Sequence, residues 1–142
     1  MRDELNTVAG VVVAVALATL VACRAPTAGD DGHVATGAWG GDHVRVDIAP
    51  GAATVEYDCA HGTMDQPLIP DRTGSFSAFG THTFEHGGPI RSDELPDRHP
   101  ARYDGQVRGD TLRFSVTISD RQQTLGAFTV TRGAGARLVK CL

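Results

Sequence analysis

Apolar and polar side chains alternate with a period of two through most of the chain after residue 37, and no stretch there keeps a helical stripe. Residues 43–48, His-Val-Arg-Val-Asp-Ile, alternate cleanly. Pro50-Gly51 turns the chain, and residues 54–59 alternate again. A strand with a weaker pattern is expected over 63–69, where Pro67 marks an edge or a bulge because it lacks the ladder N–H. Residues 70–74 form a turn, and 75–84 a strand that Gly80 interrupts. Residues 85–100 hold three prolines and a Gly-Gly pair, which predicts the longest loop. Strands at 102–108, 111–119, 124–132 and 136–141 complete the set. Gly109-Asp110, Asp120-Arg121 and Gly133-Ala134-Gly135 separate them as hairpin turns.

Eight short strands joined by hairpins leave two exposed edges unless the sheet closes on itself. The expected fold is therefore all-β, an eight-stranded antiparallel meander closed as a small barrel, with a two-sheet β-sandwich as the alternative. The inward phase holds Val44, Val46, Ile48, Val55, Tyr57, Tyr103, Val107, Leu112, Phe114, Val116, Ile118, Phe128 and Val130. An eight-stranded interior is about wide enough for its own side chains, so these residues predict a filled core and no large ligand cavity.

Ahead of the body the pattern changes. Residues 8–22 form an uncharged apolar run of fifteen, short of the roughly twenty that span a bilayer and matched to the helical core of a secretory signal. The run ends Leu20-Val21-Ala22-Cys23, which resembles the lipobox of bacterial lipoproteins. That resemblance implies cleavage before Cys23, acylation of its thiol, and a protein held by lipid on the extracytoplasmic face of the cell membrane. The leader departs from the usual pattern in one respect: Arg2 is its only basic side chain, beside Asp3 and Glu4. The expected organisation is a signal peptide over 1–22, a tether over 23–36 and a barrel domain over 37–142. Residues 24–36 are small, polar and turn-forming, and span roughly 20 Å as a flexible chain.

Three cysteines leave one over after any pairing. With Cys23 carrying lipid, Cys59 and Cys141 remain, and an oxidising compartment favours a bridge between them over two free thiols. In a closed eight-stranded meander the second and eighth strands both flank the first and lie about 10 Å apart. A bridge needs Cα atoms within roughly 7 Å. Gly40 and Gly41 lack side chains that would obstruct such a crossing over the first strand.

Gly37-Ala38-Trp39 resembles the Gly-x-Trp of lipocalins and related small barrels, which implies that Trp39 plugs one barrel end. Tyr57-Asp58-Cys59 with a late cysteine resembles the lipoprotein inhibitors of animal-type lysozyme, which are small eight-stranded barrels bridged between early and late cysteines. The serine and glycine that those inhibitors insert into the enzyme have no identified counterpart in this chain.

The formal charge is −4, and removal of residues 1–22 leaves twelve basic and fifteen acidic side chains. Such a body lacks the cationic footprint that nucleic acid selects. Twelve of the thirteen basic residues are arginine, Lys140 being the exception. No Gly-x-Ser-x-Gly elbow, phosphate-binding glycine loop or His-Glu-x-x-His motif occurs, so an enzyme is not expected. His61, His82, His86 and His99 fall between the second and fifth strands, with His82, Phe84 and His86 in one phase and Glu85, Asp58 and Asp65 close in sequence. Two or three imidazoles with a carboxylate hold zinc or copper when they converge; otherwise these are polar rim and loop residues, and no cofactor is required. The function expected from the sequence is binding of a protein or small molecule through the 85–100 loop and its rim, since loops on a rigid barrel vary freely. Metal binding through the four histidines and inhibition of a secreted hydrolase are the alternatives.

Overall fold

The computed structural model describes residues 32–142; the apolar run at 8–22, Cys23 and most of the tether lie outside the described residues. Eight strands follow one another: β1 (Gly37–Gly41), β2 (Val44–Ile48), β3 (Ala53–Tyr57), β4 (Ala60–Met64), β5 (Ser75–Phe84), β6 (Asp97–Arg108), β7 (Thr111–Ile118) and β8 (Gln123–Arg132). Each pairs antiparallel with its sequence neighbour and β8 returns to β1, closing the barrel. The all-β barrel is as the alternation predicts, and the two-sheet sandwich is set aside.

The strand list differs from the expected one at both ends of the meander. Residues 37–48, expected to hold one strand with its clean alternation at 43–48, hold two: Gly41 of β1 pairs with Val44 of β2 across Asp42-His43, and His43 takes the left-handed conformation, φ 63°. Neither residue is a glycine, so the turn carries no strong sequence signal, although His tolerates this region better than most side chains. The eighth expected strand, 136–141, is not a strand; it forms one parallel bridge, Arg137 to Asp42. The weak third strand lies earlier than expected, at Ala60–Met64, and ends before Pro67. The long loop is shorter, 85–96, because β6 begins at Asp97 and includes Pro100. Pro100 is tolerated there because its carbonyl accepts from Ser119 N beyond the last paired residue of β7, where no ladder N–H is required.

The period of two places Val44, Val46, Val55, Met64, Ala78, Tyr103, Val107, Leu112, Val116, Ile118 and Val130 inside, all fully buried. Phe128 is only partly buried against this core. Trp39 is completely buried and donates its indole N–H to Ala35 O at 3.1 Å, so the segment before β1 folds in over the barrel. These buried side chains form one core cluster drawn from all eight strands, in keeping with the interior width of an eight-stranded barrel.

Closure is lopsided. The four early strands have five residues each, and β5, β6 and β8 have ten or more. β1 meets β8 at only two positions, Trp39 with Arg132 and Gly40 with Thr131. Further along, β8 carries a bulge between Phe114 and Val116 of its partner, with Gly126 at φ 89°, which blunts its free edge. The chain after β8 then doubles back along the outside of β1. Arg137 N donates to Gly41 O at 3.0 Å and His43 N to Arg137 O at 2.8 Å.

This strap ends in a disulfide between Cys141 and Cys59, with Cα atoms 5.3 Å apart. The expected partners are joined, but the route differs. Cys141 lies on a strap that crosses β1 and reaches the β3–β4 turn, so no inward lean of two barrel strands is needed. The crossing passes over Gly40, where a Cβ would sit 2.6 Å from Gly135 C and 2.7 Å from Ala136 N. The bridge closes a sequence separation of 82 residues, worth about 4.5 kcal/mol in the ideal chain-entropy limit.

Gly40→Ala is expected to lift the strap and cost about 1–3 kcal/mol, read as a lower denaturant midpoint. Gly51→Ala, where a Cβ meets nothing within 4 Å, is the control and is expected to leave the midpoint unchanged.

Candidate functional site

Strand direction sorts the connections between two ends. The chain enters β1 at one end, shared with the β2–β3, β4–β5 and β6–β7 connections. The β1–β2, β3–β4 and β7–β8 turns lie at the other, with the 85–96 loop and the disulfide. This loop end concentrates the polar chemistry of the domain.

The strap is fastened there by charge as well as by sulfur. Asp58, in the β3–β4 turn, accepts from Val139 N at 2.7 Å and from His43 Nδ1 at 2.6 Å. The Val139 amide, with His43, holds the Asp58 carboxyl below its ordinary value. Lys140 places its ammonium 2.6 Å from Glu56 Oε2, 2.9 Å from Tyr57 O and 3.4 Å from Glu85 Oε2. Glu85 also accepts from His61 Nδ1 at 2.6 Å, the main cause of its lowered pKa. Glu85 N donates to Cys59 O at 2.9 Å, so the loop leaves the barrel wall beside the disulfide.

Two imidazoles hold the loop itself. His86 Nδ1 donates to Gly87 O at 2.9 Å and His86 Nε2 to Glu94 on the opposite limb. At the loop base, His99 Nε2 donates to Asp97 at 2.8 Å and His99 Nδ1 to Asp120 of the β7–β8 turn at 2.7 Å. Every partner of these four nitrogens is an acceptor only, so both rings are drawn as imidazolium. The Gly87 carbonyl and then Glu94 raise the pKa of His86; Asp120 and then Asp97 raise that of His99. The same bonds lower Glu94, Asp97 and Asp120. Arg121 adds a 3.2 Å contact to Asp97 and lies 5.4 Å above the Phe84 ring.

Between loop and wall is a pocket of about 400 Å³, lined by His61, Thr83, Glu85, His86 and Glu94 on its polar side and by Phe84, Ile90, Leu95 and Pro96 on its apolar side. Ile90 is 80% exposed and Leu95 87%.

The four histidines singled out in the sequence do not assemble as a ligand set. Gly62 pairs with His82 and His61 with Thr83, a one-residue offset that puts His61 outside the wall and His82 inside. β5 ends at Phe84, so the period of two does not carry on to His86, which belongs to the loop. Among the described residues no group of three or more His, Cys, Asp or Glu is placed to hold a metal ion. His82 is only 2% exposed, packed on Tyr57 and Phe84 at ring distances of 5.3 and 4.7 Å. Neither of its nitrogens has a hydrogen-bond partner, nor has Tyr57 Oη. Burial, with the charges of His61 and His99, pushes its pKa down and keeps it neutral.

The pocket joins His61 to Glu85 and His86 to Glu94, and among the described residues no hydroxyl or thiol is hydrogen-bonded to His61, His82, His86 or His99. The arrangement orders a loop and presents apolar groups. Lys140, Asp97 and Asp120 were not singled out as site residues in the sequence; the one signal available was a single lysine among arginines.

Because His82 is buried with both nitrogens unpaired, His82→Leu is expected to be neutral or to stabilise by about 1 kcal/mol. Its depressed pKa means that the unfolded chain binds the proton more readily, so wild-type stability falls as pH drops below about 6.5. The variant is therefore expected to gain more melting temperature at about pH 5 than at about pH 8. No family model matches the chain, and neither a curated protein nor a solved structure matches it.

Proposed function

We propose that this chain is a lipid-anchored extracytoplasmic binding module that engages a protein partner through the 85–96 loop. The observation that carries the reading is the pair Ile90 and Leu95, exposed on a loop whose limbs are tied down by ion pairs and a neighbouring disulfide. Ordering the loop before contact lowers the entropic cost of association, and exposed apolar side chains on a fixed frame suit an interface centre. The core cluster of buried side chains favours a surface contact over an enclosed ligand. The anchor rests on Leu20-Val21-Ala22-Cys23, and the chain enters β1 at the end opposite the loop, an orientation that directs the loop away from a membrane holding Cys23.

A second reading is that the partner is a secreted hydrolase which the protein inhibits. It is favoured by the eight-stranded barrel with its bridge from an early to a late cysteine, the features of the lysozyme-inhibitor resemblance.

Cross-linked capture from envelope extracts is expected to fall at least about tenfold, roughly 1.4 kcal/mol, in Ile90→Ser/Leu95→Ser. It is expected to persist in Ile69→Ser/Phe79→Ser, whose side chains are 60% and 61% exposed away from the loop. Under the second reading the captured protein is a hydrolase whose turnover falls with added wild-type protein. Capture indifferent to Ile90 and Leu95 overturns the loop assignment.

A further inference from the structure

We propose that the 85–96 loop is a proton-held lid over its pocket, closed while His86 and His99 are both imidazolium and released when they lose that proton. The inference rests on reading the loop as the contact surface and adds how that surface is regulated.

Counting donors makes the argument. Neutral imidazole has one N–H and one bare lone pair. His86 faces Gly87 O and Glu94, and His99 faces Asp97 and Asp120, so a neutral ring at either place turns a lone pair toward an acceptor. One of its two bonds must open. At His86 the choice lies between Gly87 O and the cross-limb bond to Glu94, and at His99 between Asp97 and the bond to Asp120 of the β7–β8 turn; whichever bond remains loses its ionic component. His43 and His61 are different. Each presents a single nitrogen to its carboxylate and keeps that bond when neutral. Of these four imidazoles, the two on the loop and its base lose a hydrogen bond with their proton.

The surroundings agree. Around His99 are Asp97 on its own strand and Asp120 from the turn. Arg121, in that turn, opposes the ring charge but pairs with Asp97. His82, its register partner on β5, is buried and neutral, and the remaining neighbour is the Phe84 ring at 5.9 Å. Around His86 stand Glu94 on the opposite limb and, lining the same pocket, the His61–Glu85 pair, with the Leu142 main chain packed against Gly87.

The sign follows from the raised histidine pKa values. Their contribution to closure is complete below the unfolded value of about 6.5 and is lost as pH rises through the higher folded value. Glu94, Asp97 and Asp120 shift down, so their contribution holds until pH falls below the ordinary carboxylate range near 4. The lid is closed in mildly acidic surroundings and loosens in alkaline ones.

Amide hydrogen exchange of the intact protein at about pH 6 and about pH 8.5, corrected for the intrinsic base-catalysed rate, reads the lid directly. Amides of 85–96 are expected to lose at least about tenfold in protection at the higher pH, while those of β5, β6 and β7 keep theirs. In His86→Gln/His99→Gln the pH dependence is expected to vanish, with the loop open throughout. Glu94→Gln, which leaves both rings in place, is expected to weaken it. Ring nitrogen spectra are expected to show His86 and His99 doubly protonated in the closed form. Protection that is flat with pH in the wild type, or a pH dependence that survives in the double glutamine variant, overturns the proposal. Exchange is measured without a partner, so the two readings fail separately. A lid that opens while capture ignores Ile90 and Leu95 removes only the contact surface. A flat lid with Ile90-dependent capture removes only the switch.

Discussion

An eight-stranded sheet becomes a barrel only if its last strand finds its first, and here that meeting is narrow. β1 is five residues long, and β8 touches it at Trp39 and Gly40 alone. Each of the other seams runs for at least four register pairs. A weak seam invites fraying and strand addition, because an open edge presents unpaired N–H and C=O groups. The chain answers with the segment that follows β8, laid along the outside of β1, hydrogen-bonded through Arg137, charge-paired through Lys140 and fixed by the Cys59–Cys141 disulfide.

The same strap organises the surface. It crosses the β1–β2 turn, fastens to Asp58 of the β3–β4 turn and ends against Gly87 of the 85–96 loop. Closure of the barrel and ordering of the loop are thus one piece of architecture, with Glu85 shared between His61 of the wall and Lys140 of the strap. A polar loop of this length is ordinarily mobile. Here its limbs are joined by His86 and Glu94 and its base by His99, while Ile90 and Leu95 stay outside.

The barrel was legible because its determinant is local: inward residues such as Val44, Val46, Leu112 and Phe114 announce themselves through alternation, whatever their distant partners. The bridge was legible by cysteine counting once the lipobox-like segment had claimed Cys23. What alternation does not carry is where a strand stops. Asp42-His43 turns the chain without glycine or proline, so β1 and β2 read as one strand. Residues 136–141 follow a Gly-Ala-Gly turn as a further strand would, yet become the strap. The histidines show the finer limit. Whether His61 and His82 meet depends on register across β4 and β5, and one residue of offset puts them on opposite sides of the wall. The pairing of His99 with Asp120 depends on a turn 21 residues away.

The central claim, that strap and disulfide hold the β1–β8 seam shut, is tested most directly by amide exchange before and after selective reduction of Cys59–Cys141. The account predicts that the amides of Gly40, Gly41, Thr131 and Arg132 lose protection on reduction by a factor of ten or more, at least about 1.4 kcal/mol of local opening energy, while β5 to β7 stay protected. Unchanged protection at these four residues, or uniform loss through all eight strands, would contradict it.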